Sequence, residues 1–449
     1  MSLKAECATL EVPENPSGEG RRITLSIVRV PAISERKAAD PLFILAGGPG
    51  MGAQEMYPAV AAAFSRVGRD RDIILLDQRG TGTSTPLACA LDPDGALLRG
   101  KEATVEDIDA AARDCLDELR AKHDVRQYTT SVAVRDLETV REALGAERIN
   151  LYGGSYGTRV AQQYAKTFPQ HTRAVVIDSV APMSLVLGSE HAKNLDATLD
   201  AQFARCAADA ACAKAVPDAR AALAQVRDAL SQPGLAPVAY RDPTTGERRE
   251  EVPALGHLTI ALRLYSYSPL TATLLPVVLK QAADGDYAPL LAQSRFLMGS
   301  FGESIMHGMQ LSVICTEDAD EMQPDPADAE TVMGAEFVAF TQAQCAVWPR
   351  GQRPADFRAP LTGDVPVLAI SGEFDPVTPP RYGDAAIAQL PNARHLVLKG
   401  QGHTPINEGC MPKLFAQFIE TADAKGLDAA CLERLAPLPP GTGLHGWEP

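Results

Sequence analysis

Short apolar runs, each ending in a glycine-bearing turn, set the rhythm of this chain. Leu42 to Ala46 and Ile73 to Leu76 are apolar at every position, the pattern of strands buried on both faces of a sheet. The first runs into Gly47-Gly48-Pro49-Gly50 and the second into Asp77-Gln78-Arg79-Gly80-Thr81-Gly82. Ahead of them, Ala8 to Val12 and Ile23 to Val30 flank Asn15-Pro16-Ser17-Gly18, which predicts a β-hairpin. Thr104 to Lys122 reads as a helix. Val132 to Leu144 reads as a second, with Val132, Leu137, Val140 and Leu144 on one stripe and Gly145 placed to stop it. Then follow a strand from Ile149 to Tyr152, a tight turn from Gly153 to Gly157, a helix from Thr158 to Phe168 halted by Pro169, and a strand from Ala174 to Asp178. Strands alternating with helices in this way predict a mostly parallel sheet with helices on both faces.

The alternation stops near Pro182 and resumes with strands at Val365 to Ser371 and His395 to Lys399. The residues between are alanine-rich and read as helical, punctuated by Pro233-Gly234 and Pro324-Asp325-Pro326. At roughly 150 residues per domain, 449 residues would make about three domains. The pattern favours one α/β core, residues 1–181 and 361–449, interrupted by a large helical cap at 182–360.

Charge and composition exclude several classes. Hydrophobic residues are 45% and charged residues 22%, which is globular rather than disordered. No apolar run reaches the ~18 residues of a membrane span, so no membrane partner is expected. Lys plus Arg number 42 against 57 for Asp plus Glu, a net charge of −15 without a basic cluster, which argues against nucleic acid. Nine cysteines is a high count for a reduced compartment. Cys206/Cys212, Cys315/Cys345 and Cys410/Cys431 bracket short segments, and Cys89/Cys115 offers a fourth loop that leaves Cys7 over. The spacing leaves the pairing open, and free cysteines can also be small buried hydrophobes. A periplasmic or secreted location is expected, with a cytoplasmic one as the alternative. No charged-then-apolar leader opens the chain, so export implies a leader removed ahead of Met1-Ser2-Leu3, which reads as a cloning remnant.

The chemistry concentrates at the strand ends. Gly153-Gly154-Ser155-Tyr156-Gly157 fits G-x-S-x-G, with a strand leading in and a helix leading out. So sharp a turn presents the Ser155 hydroxyl above the sheet. A serine hydroxyl needs a base, and the base needs an orienting carboxylate, in the chain order Ser, acid, His. His403, in Gly400-Gln401-Gly402-His403-Thr404 directly after a strand, is the candidate base. Asp375, in Gly372-Glu373-Phe374-Asp375-Pro376, is the candidate acid, with Glu373 as competitor. The oxyanion hole is expected from the backbone N–H groups of Tyr156 and Gly48, with Gly47 as the alternative to Gly48. This chemistry requires no metal and no organic cofactor.

Taken together, Ala46-Gly47-Gly48-Pro49-Gly50, Asp77 to Ser84, Gly153 to Gly157 and Gly372 to Pro379 resemble the proline iminopeptidase and tripeptidyl aminopeptidase-like family of α/β-hydrolase serine peptidases. Ala46 departs from the histidine usual in proline iminopeptidases and brings the chain nearer the tripeptidyl branch. The resemblance implies an α/β-hydrolase fold and a peptide substrate whose free N-terminus is held by acidic cap residues. Glu317, in Cys315-Thr316-Glu317-Asp318, is the candidate amine ligand, and Glu303 a second. Tyr265 and Tyr267 are candidate pocket walls. The alternatives are an esterase or other small-acyl hydrolase, and a catalytically inactive binding protein of the same fold.

Overall fold

The computed structural model describes residues 4–89, 104–302 and 304–443. The opening hairpin is β1 (Glu6–Pro13) and β2 (Arg22–Val30). It is followed by β3 (Leu42–Leu45), β4 (Ile73–Leu76), β5 (Ile149–Gly154) and β6 (Thr172–Asp178). β7 (Val238–Arg241) and β8 (Arg248–Glu251) lie in the insertion, and β9 (Val367–Gly372) and β10 (Ala393–Leu398) complete the core. Eight of these strands make one sheet in the order β1-β2-β4-β3-β5-β6-β9-β10. β1 and β2 pair antiparallel, as do β2 and β4; the six strands from β4 to β10 run parallel.

The wholly apolar strands are explained by burial on both faces. Successive side chains point to opposite sides of a strand. Accordingly Phe43 and Leu45, Ile74 and Leu76, Val175 and Ile177, and Val367 and Ala369 join one core. Their neighbours Leu42 and Ile44, Ile73 and Leu75, Ala174 and Val176, and Leu368 and Ile370 join the other.

The covering helices begin with α1 (Ala53–Phe64), α2 (Val105–Arg120), α3 (Thr130–Ala143) and α4 (Tyr156–Thr167). Thr104 and Asp107 form a reciprocal capping box at the start of α2. α3 begins two residues before the apolar stripe because the Thr129 side chain caps it by accepting from the Val132 N–H. α1 was not foreseen, since Pro58 sits inside it and a proline-glycine turn precedes it. Nor was the helix Met411–Thr421, whose Leu414, Phe415, Phe418 and Ile419 are fully buried and whose Pro412 falls in the tolerated first turn.

Between β6 and β9 the chain leaves the sheet. α5 (His191–Ala208) and the helices Ala219–Leu230, Leu255–Tyr265, Leu275–Ala283 and Ala288–Gly302 surround a third apolar cluster that includes Leu199, Val226, Leu258 and Leu279. The insertion is not wholly helical: β7 and β8 form an antiparallel ribbon. Its turn is closed by the Asp242 carboxylate, which accepts the N–H groups of Thr244 and Thr245 at 2.9 and 3.1 Å. Later in the insertion, Met309, Leu311, Val313 and Cys315 of the helix His307–Glu317 pack into the first core beneath the sheet.

Four disulfides link Cys89–Cys115, Cys206–Cys212, Cys315–Cys345 and Cys410–Cys431, and Cys7 is free and exposed. Among the described residues no helix is long and apolar enough to cross a membrane.

The loop after β4 is anchored by a buried charge. Arg79 is 1% exposed and grips Asp136 of α3 through two hydrogen bonds of 2.6 and 2.7 Å. A third hydrogen bond, of 2.7 Å, goes to the Glu14 carbonyl oxygen after β1. Removing one partner of a buried pair leaves the other charge uncompensated. Asp136→Ala is therefore expected to lower the free energy of unfolding by about 3–5 kcal/mol, read from the denaturant midpoint.

Candidate active site

Ser155 sits between β5 and α4 with φ 54° and ψ −123°, a conformation that a serine adopts only when its surroundings enforce it. The enforcement is local. A Cβ at Gly153 would run into the Gly157 carbonyl, and one at Gly157 into the Leu45 carbonyl of β3. The Ser155 N–H donates to the Asp178 carbonyl oxygen at 2.9 Å, which ties the turn to the end of β6. Helix α4 starts at Tyr156, so the first N–H groups of that helix have no intrahelical acceptor.

Strand register brings the glycine loop to the serine. Leu45 is paired with Gly153, so the residues after β3 emerge beside the elbow. A Cβ on Gly47 would lie 3.2 Å from Ser155 Cβ and 3.8 Å from Ser155 Oγ. Gly48 has φ +104°, and a Cβ there would approach Gly50 N to 2.7 Å, so only glycine fits. The loop is covered from the insertion: the Met306 N–H donates to the Gly50 carbonyl oxygen at 3.0 Å.

Asp375 and His403 meet directly, with Nδ1 of the imidazole 2.8 Å from Asp375 Oδ2. The carboxylate also accepts the N–H groups of Val377 and Thr378, each at 2.9 Å, and the Thr378 hydroxyl at 2.9 Å. Burial pushes this carboxyl up, but the His403 charge and these donors outweigh it and hold the pKa at about 2. Glu373, the competitor, is turned away and accepts the Gly400 N–H at 2.8 Å.

The end of β6 joins all three loops, which the sequence reading missed. Asp178 supplies the carbonyl for Ser155. The adjacent Ser179 donates its N–H to the Ile370 carbonyl oxygen of β9 at 2.9 Å, and its hydroxyl accepts the Thr404 N–H at 2.7 Å. The Asp178 carboxyl is fully buried and accepts the Tyr152 hydroxyl at 2.8 Å. Burial raises its pKa to about 7, although the Tyr152 bond and the His403 charge oppose the shift. A polar pair closing an apolar strand was the only available signal. His403 is further held by Tyr267, whose carbonyl oxygen accepts its N–H at 2.8 Å and whose ring lies 4.9 Å from the imidazole.

The amine-binding expectation for Glu317 is corrected by the structure. Its carboxylate is 1% exposed and is occupied by the N–H and hydroxyl of Thr130 at 2.6 and 2.8 Å, with Arg159 at 3.6 Å. Thr130 in turn meets the Tyr156 hydroxyl at 2.7 Å, and Gln78 donates to that hydroxyl at 3.2 Å. Glu317 thus braces α3 and α4 beneath the elbow, at the N-terminus of α3 where a carboxylate is favoured. Glu303 lies outside the described residues. Tyr265 is buried among cap residues, whereas Tyr267 stands against His403. Among the described residues no group of three or more His, Cys, Asp or Glu side chains is arranged to hold a metal ion.

Comparison with known proteins agrees with this architecture. Residues 40–409 match the alpha/beta hydrolase fold family, and the chain belongs to it. It is 26% identical over 438 residues to serine protease Hip1 of Mycobacterium tuberculosis, covering 90% of this chain and 82% of that one. It is 29% identical over 455 residues to carboxylesterase B of the same organism, again covering 90% and 82%. Over 194 residues it is 31% identical to tripeptidyl aminopeptidase of Streptomyces lividans, covering 39% and 35% of the two chains.

Two outcomes follow from the buried acids. Glu317→Gln should lower thermal stability and reduce peptide and ester turnover by the same factor, because the side chain is buried and engaged by Thr130; a selective loss of peptide turnover would restore the amine-binding role. The Asp178 carboxyl is raised from an ordinary 3.8 to about 7, so the folded chain holds its proton more tightly than the unfolded one. Its contribution is whole below about pH 4 and is lost as pH rises through 7. Asp178→Asn should flatten that decline when denaturation midpoints are compared across this window.

Proposed function

We propose that the protein is a serine hydrolase in which Ser155 is the nucleophile, His403 the general base and Asp375 the orienting acid. The observation that carries the reading is the 2.8 Å bond between Asp375 and His403 Nδ1, made beside a serine held at positive φ. With Nδ1–H donating to Asp375, Nε2 is the nitrogen free to take the Ser155 proton. Ser155 Oγ then attacks the substrate carbonyl, and the N–H groups of Gly48 and Tyr156 receive the oxyanion. The imidazolium returns its proton to the leaving group. Water, deprotonated by the same imidazole, releases the acyl group and frees the serine.

The substrate proposed is a peptide cleaved near its free N-terminus, supported by the motif resemblance and by relatives named as a serine protease and a tripeptidyl aminopeptidase. An ester substrate is the second reading. It is favoured by the sequestration of Glu317, which leaves no proposed amine ligand facing the site among the described residues. Four disulfides support a periplasmic or secreted setting.

The test is a turnover panel of Pro-, Ala- and Ala-Ala-Pro- arylamides, their N-acetylated forms, and a short-chain aryl ester. Cleavage of the free-amine amides, abolished by acetylation, is the expected result; turnover of the ester alone would transfer the assignment to the esterase reading. Ser155→Ala should reduce kcat by at least roughly four orders of magnitude and abolish fluorophosphonate labelling. Full activity in that variant would sink the mechanism. Asp375 stays ionised down to about pH 2, so its protonation does not set the acid limb of the rate profile. Asp375→Asn should lower kcat across the whole profile.

A further inference from the structure

The cap wall on the His403 side carries charge of the opposite sign to that expected for holding an amine. The first turn of α5 is seated on the loop that holds Asp375, since Asn194 donates from Nδ2 to the Val377 carbonyl oxygen at 2.9 Å. One turn earlier on the same helix, the His191 ring lies 5.5 Å from the ring of Phe337. Arg263, in the last turn of the helix Leu255–Tyr265, places its guanidinium carbon 5.6 Å from that same ring. Four residues further on, Tyr267 lies against His403 with ring centroids 4.9 Å apart. His191 and Arg263 therefore meet on the Phe337 ring, and Asn194 and Tyr267 join the two helices that carry them to the loops of the candidate acid and base.

Arg263 is half-buried, and its polar contact is the thioether of Met333 at 3.5 Å. Among the described residues no carboxylate lies within ion-pair distance of it. Burial, with the Arg263 charge, drives His191 well below its ordinary pKa and keeps that ring neutral. A partly desolvated guanidinium without an acid is costly, and the cost is relieved by an anionic ligand. The planar fork of arginine matches a carboxylate, and flanking aromatic rings exclude competing water.

We propose that Arg263, walled by Phe337 and His191 on the side of the cap joined to the Asp375 and His403 loops, is a subsite for a substrate carboxylate adjacent to the scissile bond. The proposal deepens the serine-hydrolase reading and rests on it. A short peptide meets the requirement through its C-terminal carboxylate, and a longer one through an acidic side chain.

Calorimetric titration of the full chain carrying Ser155→Ala tests this without turnover. The ligands are Ala-Pro-Ala as free acid and as C-terminal amide, and Ala-Pro-Asp-amide against Ala-Pro-Asn-amide. At least one acid should bind about ten-fold more tightly than its neutral partner, and the pair that shows the difference identifies the source of the carboxylate. Adding Arg263→Gln should reduce that ratio to under about two-fold, whereas Arg263→Lys, which keeps the charge, should retain part of it. Equal binding of acid and neutral partners, no binding at all, or a preference that survives Arg263→Gln would overturn the subsite. Turnover by the unmodified chain separates the two claims. Peptides bound with acid preference but left uncut overturn the peptidase reading alone, and peptides cut with no acid preference overturn the subsite alone.

Discussion

The left-handed backbone of Ser155 is the constraint on which the site depends. A serine at φ 54° is strained, and the strain persists only while β3, β5 and β6 hold the turn from three sides. The requirement propagates outward. Gly153 and Gly157 must lack side chains because carbonyl groups occupy the space a Cβ would take, and one of those carbonyls belongs to β3. The same close approach places Gly47 against the serine, so the geometry that strains the nucleophile also delivers the candidate oxyanion loop. Compact packing and chemical presentation are one feature here.

Holding a strained turn takes rigid support, and this chain supplies it with buried charge. Arg159 on α4 is fully buried between Asp318, at 2.8 Å, and Glu317, at 3.6 Å. Asp318 is further tied to the Leu187 N–H at 3.0 Å and to Arg358 at 3.1 Å. Ion pairs of this kind contribute little net stability against well-packed apolar residues, but breaking one is expensive, so they restrict the helix to a single seating. The two carboxylates after Cys315 are thus spent on Arg159 and Thr130, on the α4 side of the serine turn. On the opposite side, Asp178 and Ser179 connect the serine turn, the acid-bearing strand β9 and the histidine loop through three hydrogen bonds. Any displacement of β6 is therefore felt by every member of the candidate triad.

Much of this was legible in the sequence because strands buried on both faces cannot be disguised. Leu42 to Leu45 and Ile73 to Leu76 have to be apolar throughout, and the turns after them have to carry glycine where backbones touch. Ser155, Asp375 and His403 could be named as candidates from their position after such strands, and Asp375 was favoured over Glu373 for its proline-fixed loop, the one that meets the His403 ring. What escaped was long-range. The α1 helix contains a proline that local propensity penalises, while tertiary burial of Tyr57 and Phe64 overrides it. The ribbon β7–β8 has only four residues per strand, too few for periodicity to register. Glu317 was misread because one sequence cannot tell a carboxylate facing a pocket from one facing a buried arginine; its partner Arg159 lies more than a hundred and fifty residues earlier in the chain.

The displacement of Glu317 from the substrate side alters how specificity is distributed over the molecule. The core presents a candidate nucleophile, a candidate base and candidate backbone donors, none of which would distinguish one acyl compound from another. The insertion meets the candidate site from two helices, α5 at the Asp375 loop and the helix Leu255–Tyr265, through the following Tyr267, at the histidine loop. Both are also members of the third apolar cluster, which is packed separately from the two cores of the sheet. A side chain such as Arg263 can therefore change without disturbing the strained serine, because the load that holds Ser155 runs through β3, β6 and α4. The half of the structure that carries the candidate triad is rigidly braced by buried ion pairs. Around Arg263 the insertion is built from aromatic and apolar packing, which tolerates exchange of one charge for another.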